Sequence, residues 1–429
     1  MEKSRYKLAD VIESWTSGDW GEEIPSSECC NKVCCIRSAD IVPIYNNSFE
    51  IATTRYISDK SFNKNLLKVG DIIVEKSGGT VNCSTGRVIY VNEEIFNNNT
   101  PLVCSNFCTA FRVKKEWDTL YIYYLLRYIH STGLFMNYEG KTSGIHNLDI
   151  NAAYSAIEIP DISLETQKRI SSILATLDEK ISLNTSINKN LEALAKKIYD
   201  YWFVQFDFPN EEGKPYKSSG GAMVWNEKIK REIPASWCVQ PINDIADVIN
   251  GATPSTKNEN NYGGDIVWIT PKDLSDQKHK FIYKGERNIS KDGYDSCSTH
   301  LLPINSILMS SRAPIGLLAI AKAELCTNQG FKSFVPKEDR ISTYLYYYLQ
   351  FHIRQIEQLG TGTTFKEVSR EDILKFPIQK PANDILDSFE AKVKAINEAQ
   401  LNIQKENESL IKQRNELLPL LMNGQVTID

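Results

Sequence analysis

The stretch "QKRISSILATLDEKISLNTSINKNLEALAKKIYDYWF" at residues 167–203 sets the architecture of this chain. Its apolar residues recur in steps of about three or four, with Asn184 near the same stripe. The stripe consists of Ile170, Ile173, Leu177, Ile181, Ile187, Leu191, Leu194 and Ile198. A narrow apolar stripe with a polar interruption is typical of a coiled-coil seam. It predicts a helix of about 40 residues, ~60 Å long, that begins near Thr166.

A second segment near the end of the chain has the same pattern. Its apolar positions are Leu386, Phe389, Val393, Ile396, Ile403, Leu410, Leu417 and Leu421. Gln400, Asn407 and Arg414 occupy the remaining seam positions. This pattern predicts a second helix of about 40 residues. We expect it to begin near Asp384 and to end at Gly424, because glycine commonly terminates helices.

The two remaining blocks contain short β-branched and aromatic runs separated by turn residues. Examples are "GDIIVEKSGG" (70–79), "GRVIYV" (86–91), "DIVWIT" (265–270) and "SILMSSRAP" (306–314). They predict irregular β structure. Each block also contains one short Tyr-rich helix, "WDTLYIYYLLRYIH" (117–130) and "STYLYYYLQFHI" (342–353). The segment "FDFPNEEGKPYKSSGGAM" (206–223) is predicted to be a loop or linker.

The aromatic residues allow two interpretations. Packing against a sheet is favoured over base stacking for the tyrosines of the short helices, because each lies beside leucines. These are Tyr123, Tyr124, Tyr346, Tyr347 and Tyr348. Trp202 and Phe203, at the end of the first long helix, are expected either to cap the helix pair or to contact a partner subunit.

The two blocks are written as a repeat. "LADVI" (8–12) returns as "IADVI" (245–249), and "LLKVGDIIVEKSGG" from Leu66 returns as "LLPINSILMSSRAP" from Leu301. "CSNFCTAFRVKKE" from Cys104 matches "CTNQGFKSFVPKE" from Cys326, and "YIYYLL" (121–126) matches "YLYYYL" (344–349). Because the order never changes and a long helix follows each block, the pattern predicts an internal duplication.

The repeat also bears on a cluster of four cysteines in "ECCNKVCCIRSADI" (28–41). Aligned with "IVWITPKDL" (266–274), Asp40 meets Asp273, and Cys34 and Cys35 meet Val267 and Trp268. Cysteine behaves as a small buried apolar residue, and neighbours on a strand point to opposite faces. A buried strand is therefore favoured over a zinc site, and no metal ligands are predicted.

Bulk composition narrows the class of protein. The chain has 429 residues, which predicts two to four domains, with 41% hydrophobic and 24% charged residues. Its formal net charge of −5 gives no overall electrostatic footprint for nucleic acid. Without a signal-like or membrane-spanning apolar run, the expected location is the cytoplasm, where the ten cysteines would be reduced.

The sequence gives little support for an enzymatic activity. Asp118 with Glu139 and Lys141, or Asp207 with Glu212 and Lys214, fits only a loose metal-nuclease pattern. There is no glycine-rich loop for a methyl donor and no phosphate-binding Walker loop. We therefore expect no catalytic residues in this chain.

Three stretches carry a resemblance to a known family. They are "IPDISLETQKRISSILATLDEKI" (159–181), "FDFPNEEGKPYKSSGGAMVWNEKIKREIPASW" (206–237) and "GTGTTFKEVSREDILKFPI" (360–378). "KTSGIHNLDI" from Lys141 is a less typical first copy of the third. The chain resembles, over essentially its whole length, the specificity subunit of Type I restriction-modification systems. It departs from the family pattern in that the first block has no "IPASW"-like lead.

The resemblance implies an α+β architecture of two β-rich target-recognition domains separated by two helices that pair as an antiparallel coiled coil. The expected parts are recognition domain 1 (1–160), helical spacer 1 (161–205), linker and recognition domain 2 (206–380), and helical spacer 2 (381–424). Each domain would read one half of a split, asymmetric double-stranded DNA site. The helices would set the gap and dock two methyltransferase (modification) subunits, with restriction subunits in some complexes.

The same resemblance implies a non-catalytic chain without a cofactor of its own. S-adenosylmethionine would be bound by the modification subunits, which methylate adenine, and ATP and Mg by a restriction subunit.

Candidate DNA contacts lie in the turns and loops, where Arg suits guanine, Gln suits adenine, and Ser, Thr and Lys suit phosphates. In the first block they are Lys76, Ser77, Arg87, Lys141, Thr142, Ser143 and His146. In the second they are Ser310, Ser311, Arg312, Gln329, Lys332, Thr361, Thr363, Thr364 and Lys366. Arg312 and Thr361–Thr364 are favoured, because "SSRAPIG" and "GTGTTF" match loop motifs of the family. A coiled-coil scaffold with two protein-binding domains is the alternative that the acidic balance favours.

Overall fold

Two long helices and two β-rich blocks make up the chain in the computed structural model. The structure describes residues 5–45, 53–79, 84–96, 101–142, 145–277, 279–361 and 366–424. They form two units, Met1–Ser186 with Glu406–Asp429, and Ile187–Lys405. Each long helix contributes to both units, so the first unit is built from both ends of the chain.

The first unit contains the first twelve strands. They are β1 (Arg5–Lys7), β2 (Ile12–Ser17), β3 (Asn31–Ile36), β4 (Thr54–Ile57), β5 (Ile72–Glu75), β6 (Ser77–Gly79), β7 (Val88–Tyr90), β8 (Leu102–Cys104), β9 (Cys108–Val113), β10 (Glu139–Thr142), β11 (Ile145–Leu148) and β12 (Glu158–Pro160). Its helices are α1 (Ile41–Tyr45), α2 (Asp59–Asn65), α3 (Glu93–Phe96), α4 (Thr119–Ser131), α5 (Ile150–Ala156) and the start of α6 (Leu164–Tyr199). Short 3₁₀ turns cover Leu8–Val11, Ser38–Asp40 and Leu134–Tyr138.

The second unit contains the next twelve strands. They are β13 (Met223–Asn226), β14 (Arg231–Pro234), β15 (Cys238–Pro241), β16 (Ala246–Asn250), β17 (Tyr262–Ile269), β18 (Phe281–Ile282), β19 (Arg287–Ile289), β20 (Ile307–Ser310), β21 (Leu318–Ala321), β22 (Cys326–Thr327), β23 (Phe331–Pro336) and β24 (Pro377–Lys380). Its helices are α7 (Pro271–Gln277), α8 (Lys291–Asp295), α9 (Ser342–Phe351), α10 (Ile353–Gln358), α11 (Arg370–Lys375) and most of α12 (Asn383–Met422). A π turn at Asp200–Val204 continues α6, and 3₁₀ turns cover Ile242–Asp244, Glu259–Asn261 and Asp339–Ile341.

The predicted duplication is confirmed by the sheet topology. The order β2-β9-β5-β7 in the first unit matches β16-β23-β20-β21 in the second, where β18 adds a fifth strand at the edge. The order β4-β3-β8 matches β19-β17-β22. In both smaller sheets the last pair is parallel, β3 with β8 and β17 with β22. The pairs β1-β12 and β15-β24 also correspond. Within each unit the same chain path has therefore been built from a diverged sequence.

One part of the sequence alignment is wrong by a residue. Equivalent hydrogen bonds run from the Leu67 amide to the Leu102 carbonyl and from the Leu302 amide to the Leu325 carbonyl. Cys326 therefore corresponds to Val103, not to Cys104. The match of two cysteines gave the wrong register, and along a strand a shift of one residue exchanges the two faces.

One inner strand of each larger sheet, β5 in the first unit and β20 in the second, is buried on both faces. In β5, Ile72 and Val74 pack into one cluster and Ile73 into another. The alternation follows from the two-residue period of a strand. In β20, Ile307 and Met309 face one cluster while Leu308 faces the other. The uninterrupted apolar runs in these two strands are explained by this double burial.

The Tyr-rich helices cover one face of each sheet, as predicted for packing rather than stacking on bases. Tyr124 of α4 is buried in the first unit, and Tyr346, Tyr347 and Tyr348 of α9 are buried in the second. Tyr123 is only partly buried but packs against the same cluster.

The long helices pair antiparallel inside each unit, which confirms the predicted fold class. In the first unit Asp178 of α6 bonds Arg414 of α12, and further along α6 Asn184 bonds Asn407. In the second unit the Glu192 carboxylate accepts a hydrogen bond from Gln400. The polar seam positions predicted from sequence are thus occupied by interhelical hydrogen bonds.

The ends of the helices lie close to the predicted ones. The helix α6 begins at Leu164, because the Ser163 hydroxyl accepts a hydrogen bond from the Thr166 amide at 3.1 Å. The helix α12 ends at Met422, followed by Gly424 in the left-handed region with φ +65°.

The predicted seam of α6 is partly wrong. Ile173, Ile187 and Leu194 are exposed. The buried row consists of Ile170, Leu174, Ile181, Ala195 and Tyr199. Two apolar rows lie side by side on this helix, and the β-rich blocks cover the row that includes the small Ala195.

The segment 206–223, predicted to be a loop or linker, is a packed loop up to residue 222, and β13 begins at Met223. Phe206 and Phe208 are buried, and the Phe208 ring stacks on Trp237. The Asp207 carboxylate accepts hydrogen bonds from the amide and hydroxyl of Ser218. Trp202 and Phe203 lie in the same core and contact Phe389 of α12, with ring centroids at 6.0 and 4.8 Å.

The vicinal cysteines Cys34 and Cys35 are buried in β3, where the repeat predicts strand residues. Burial raises the pKa of the Cys34 thiol to about 11 and that of Cys35 to about 12, so both are protonated at neutral pH. Among the described residues no group of three or more His, Cys, Asp and Glu side chains could hold a metal ion. No helix in the described ranges is long and apolar enough to span a bilayer.

Candidate nucleic-acid interface

Three loop segments of the second unit meet where β20 ends. The Ser311 amide bonds the Gly330 carbonyl at 2.8 Å, and the Ser311 carbonyl accepts from the Val368 amide at 3.0 Å. The segment after β20 therefore lies between the turn before β23 and the segment that leads to α11. This frame brings most of the predicted contacts of the second block into one region.

Ser310 and Ser311 form the interior of this frame. Both are buried. The Ser310 hydroxyl donates to the Pro314 carbonyl at 2.6 Å and accepts from the Leu317 amide, while Ser311 donates to Gly330. Their contact with DNA remains a prediction, but in this structure the two hydroxyls hold the loop around Arg312.

The charged residues of the frame meet at Glu367. Its Oε2 accepts a hydrogen bond from Arg312 Nε at 3.0 Å, and its Oε1 lies 3.2 Å from Lys332 Nζ. The Arg312 side chain is 50% exposed, whereas that of Lys332 is 8% exposed. Glu367 also pairs through its backbone with Thr361, with N–O distances of 3.1 and 3.0 Å. The sequence predicted both cations but missed the acid between them.

The remaining candidates of the second unit lie around this cluster. Gln329 is exposed and accepts a hydrogen bond from the Thr253 hydroxyl. Lys366 is exposed beside Glu367. Thr363 and Thr364 lie outside the described residues. Thr253 was missed, although it stands in the turn-rich "NGATPSTK" (250–257), which is a recognisable loop signal.

That loop approaches the frame closely because residue 251 is glycine. A Cβ at Gly251 would lie 2.2 Å from the carbonyl oxygens of Thr327 and Asn328. The Ala252 amide bonds the Thr327 carbonyl at 2.9 Å. The loop 250–257 is thus held beside the turn that presents Gln329.

In the first unit the corresponding frame is a three-stranded sheet in the order β10-β11-β6. Ser77 lies in β6, Lys141 and Thr142 lie in β10, and His146 lies in β11 opposite Lys141. The Ser77 hydroxyl donates to Asn147 Oδ1. Ser143 lies outside the described residues. The sheet brings together four of the seven predicted residues.

His146 is oriented by a buried carboxylate. Its Nδ1 lies 2.8 Å from Glu139 Oε2, and Glu139 Oε1 accepts from the Thr85 amide and hydroxyl at 2.6 and 2.7 Å. Burial alone would raise the pKa of Glu139, but the hydrogen bonds from Thr85 and His146 together lower it below its usual value. An ionised Glu139 fixes the imidazole on the central strand of this sheet.

Arg87 is engaged inside the first unit. Its Nε bonds Glu75 Oε2 at 2.8 Å, and its Nη2 bonds Glu75 Oε1. Glu75 is fully buried and the Arg87 side chain is 17% exposed. The neighbouring Lys76 is half-buried beside Trp15 and Asn151. Contact of Arg87 with DNA remains a prediction, and its guanidinium already has a structural partner.

The two frames are equivalent, position by position. The Lys76 amide bonds the Phe107 carbonyl as Ser311 bonds Gly330, and Leu148 bonds Lys76 as Val368 bonds Ser311. The protein therefore belongs to a class with duplicated α+β units, which carry the same loop frame with different side chains.

Comparison with known proteins identifies the family. A model of the Type I restriction modification DNA specificity domain matches residues 5–193 and 234–407, so each match spans one block and reaches into the helix that follows it. The chain belongs to this family and is a Type I restriction-modification specificity subunit.

Two relatives show how far the similarity extends. The HindI specificity subunit of Haemophilus influenzae is 26% identical over 440 residues, covering 89% of this chain and 92% of that protein. The MjaIX specificity subunit of Methanocaldococcus jannaschii is 38% identical over 199 residues, which cover 45% of this chain and 46% of the relative.

Among solved structures, the S subunit from M. genitalium has the same fold. The comparison of the two structures gives a TM-score of 0.59 at 14% sequence identity, and it covers 98% of this chain and 96% of the M. genitalium chain.

Proposed function

We propose that this chain directs a Type I complex to DNA by binding a bipartite, asymmetric double-stranded site, one half per recognition domain. The observation that carries the proposal is the loop frame that occurs once in each unit with different side chains. Equivalent backbone geometry supports equivalent docking on a half-site. Different side chains at equivalent places support different base preferences, and therefore an asymmetric site.

The proposed partners are two methyltransferase subunits, joined by restriction subunits in a complete system. In this proposal the chain is non-catalytic and cytoplasmic. S-adenosylmethionine belongs to the methyltransferase subunits, and ATP and Mg to the restriction subunits. Exposed apolar side chains on α6 support docking there, Ile173 and Leu183 in the first unit and Ile187 and Leu194 in the second.

The net charge of −5 fits a chain whose DNA affinity depends on its partners. Phosphate contacts dominate DNA affinity and require cationic surface. In the second unit the Arg312 and Lys332 charges are partly offset by Glu367. We propose that the partner subunits supply most of the phosphate contacts, while this chain contributes base contacts.

The test is methylation in a host that lacks its own adenine methylation. The chain is co-expressed with its modification subunit, and the genome is sequenced by a method that detects N6-methyladenine. We expect methylation at one split, asymmetric motif, and none when either subunit is expressed alone.

A protein-binding scaffold predicts a different outcome. In that case the pair would assemble, as judged by co-purification, but the genome would carry no methylated split motif. A single uninterrupted motif would also contradict the proposal, because it would require only one reader.

A further inference from the structure

Arg312, Lys332 and Glu367 form a charged triad with defined counterparts in the first unit. In the first unit Val74 pairs with Thr109 and in the second Met309 pairs with Lys332, so Lys332 corresponds to Thr109. The backbones of Arg312 and Glu367 pair in the same way as those of Ser77 and Asn147. Arg312 therefore corresponds to Ser77, and Glu367 corresponds to Asn147. The counterparts of the charged triad are therefore Ser77, Thr109 and Asn147.

The first-unit triad is neutral, and its hydrogen bonds differ from those of the charged set. Ser77 donates to Asn147, and the Thr109 hydroxyl donates to the Thr16 carbonyl at 3.0 Å. The frame thus accepts either a neutral or a charged set at these three positions. A position where the backbone is constant and the side-chain chemistry differs between two readers is suited to set base preference.

Glu367 holds the charged set in one arrangement. Lys332 is almost fully buried, and a buried ammonium requires a counter-charge or hydrogen-bond acceptors. Glu367 provides this with Oε1, while Oε2 holds the Nε edge of Arg312. Within the described part of the chain, this leaves the two Nη atoms of Arg312 available for another partner.

We propose that this triad determines the base preference of the second recognition domain, with Glu367 as the residue that positions Arg312. The Nη atoms of an Arg312 held in this way present two parallel donors, which match O6 and N7 of guanine in the major groove. Glu367 also prevents Arg312 and Lys332 from acting as two free cations that would bind any phosphate. The inference rests on the proposed function of the chain.

The test compares methylation motifs of four variants, each co-expressed with the modification subunit beside the wild type. Glu367→Gln keeps the acceptor oxygen but removes the charge, and Arg312→Ala removes the reader. The triple variant R312S/K332T/E367N installs the neutral set of the first unit. Glu286→Gln is the control, because Glu286 forms an exposed ion pair with Lys272 in the same unit at 2.7 Å.

We expect Glu367→Gln and Arg312→Ala to lower discrimination at the same base pair of one half-site by about tenfold. The other half-site should keep its sequence. The triple variant should replace the guanine preference at that pair with a different or relaxed one. Glu286→Gln should give the wild-type motif.

Three outcomes overturn the inference. The first is an unchanged motif in both Glu367→Gln and the triple variant. The second is equal loss of methylation at every site, which indicates a phosphate contact or misfolding. The third is relaxation at different base pairs for Arg312→Ala and Glu367→Gln, which separates the two residues. If the wild type itself methylates no split motif, the proposed function fails rather than this inference.

Discussion

Arg87 was predicted from the sequence to contact DNA, but in the structure it forms a buried ion pair with Glu75. Arg87 follows a glycine in a loop-like stretch, which is where a base contact is expected. The structure gives its guanidinium two hydrogen bonds to a fully buried carboxylate. Removing one partner of such a pair leaves a buried charge without compensation.

We therefore predict that Arg87→Ala lowers the free energy of unfolding by about 3 kcal/mol. Replacing both partners, as in R87M/E75L, should recover much of that loss because no charge remains buried. Chemical denaturation of the purified chain measures both. Unfolding equal to wild type in Arg87→Ala, together with weakened DNA binding of the complex, would instead place Arg87 at the interface.

Lys280 is a buried cation that no sequence pattern indicated. Its Nζ donates to Tyr347 Oη at 2.7 Å and to Asn397 Oδ1 at 2.8 Å, and it lies 3.4 Å from Glu192. Burial lowers its pKa to about 8, although Glu192 and Glu390 oppose the shift. The residue ties the sheet of the second unit to both long helices.

This lowered pKa predicts a pH dependence. In the unfolded chain a lysine keeps its proton up to about pH 10.4. Between pH 8 and that value the unfolded chain binds more protons than the folded one, so the Lys280 contribution makes stability rise with pH. The free energy of unfolding of the wild type minus that of Lys280→Met should therefore increase from pH 7 to pH 9.5. Thermal unfolding at several pH values measures it.

The control for this experiment is Lys291→Met, whose side chain is 84% exposed. Its stability difference from wild type should stay constant over the same range. Parallel curves for wild type and Lys280→Met would show that Lys280 keeps an ordinary pKa.

The sequence named Arg312 and Lys332 as candidate DNA contacts, because Arg and Lys in loops suit DNA, and that role stays a prediction. The sequence did not indicate the groups that these side chains contact. Glu367 and Thr253 were missed, and Glu139 was considered only in a nuclease pattern, because the contacts of these residues depend on segments that meet only in the folded chain. A carboxylate in a loop carries no signal by itself.

Among the elements, α6 shows what periodicity can and cannot determine. Its length, ends and polar seam positions were predicted well, because an apolar period and a cap are local signals. The sequence did not predict which of the two adjacent apolar rows of α6 is buried, because that depends on which elements cover the helix. Strand register was also not predictable from local sequence. Aligning Cys104 with Cys326 because both are cysteines placed the two strands one residue out of register.

The exposed row predicts a docking effect. Leu194→Glu should weaken association with the modification subunit at least about tenfold, because a charge would be buried in an apolar contact. Its melting temperature should change little, since Leu194 is exposed in the isolated chain. Analytical ultracentrifugation of the mixed subunits measures the association.

Asn402→Glu is the matched control, at an exposed position of α12 in the same unit. It should assemble like wild type. Assembly of Leu194→Glu at wild-type strength would show that the modification subunit docks elsewhere.

For the whole molecule, the proposed role of the helices as a spacer predicts a change in the DNA gap. Insertion of one heptad into both α6 and α12 keeps the seam in register and adds ~10.5 Å. At ~3.4 Å per base pair, the unspecified gap in the methylated motif should lengthen by about three base pairs. Sequencing of methylated sites reads the gap directly. An unchanged gap would exclude the spacer role.

A duplicated chain of this kind was predictable from the sequence, because short matches occurred in constant order and a long helix followed each block. The division into units was not. Each unit includes part of both helices, so the boundary between the units lies inside α6 and α12. A boundary in a loop would have been visible in the amino-acid composition, but a boundary inside a helix is not.

The order of translation differs from the order in which the two units become complete. The second unit is continuous in sequence and is complete once residue 405 has left the ribosome. The first unit needs Glu406–Asp429, including the end of α12 that holds Asp178 and Asn184. We therefore expect the half that is translated first to close last. A stop codon just after residue 405 should damage the first unit and spare the second.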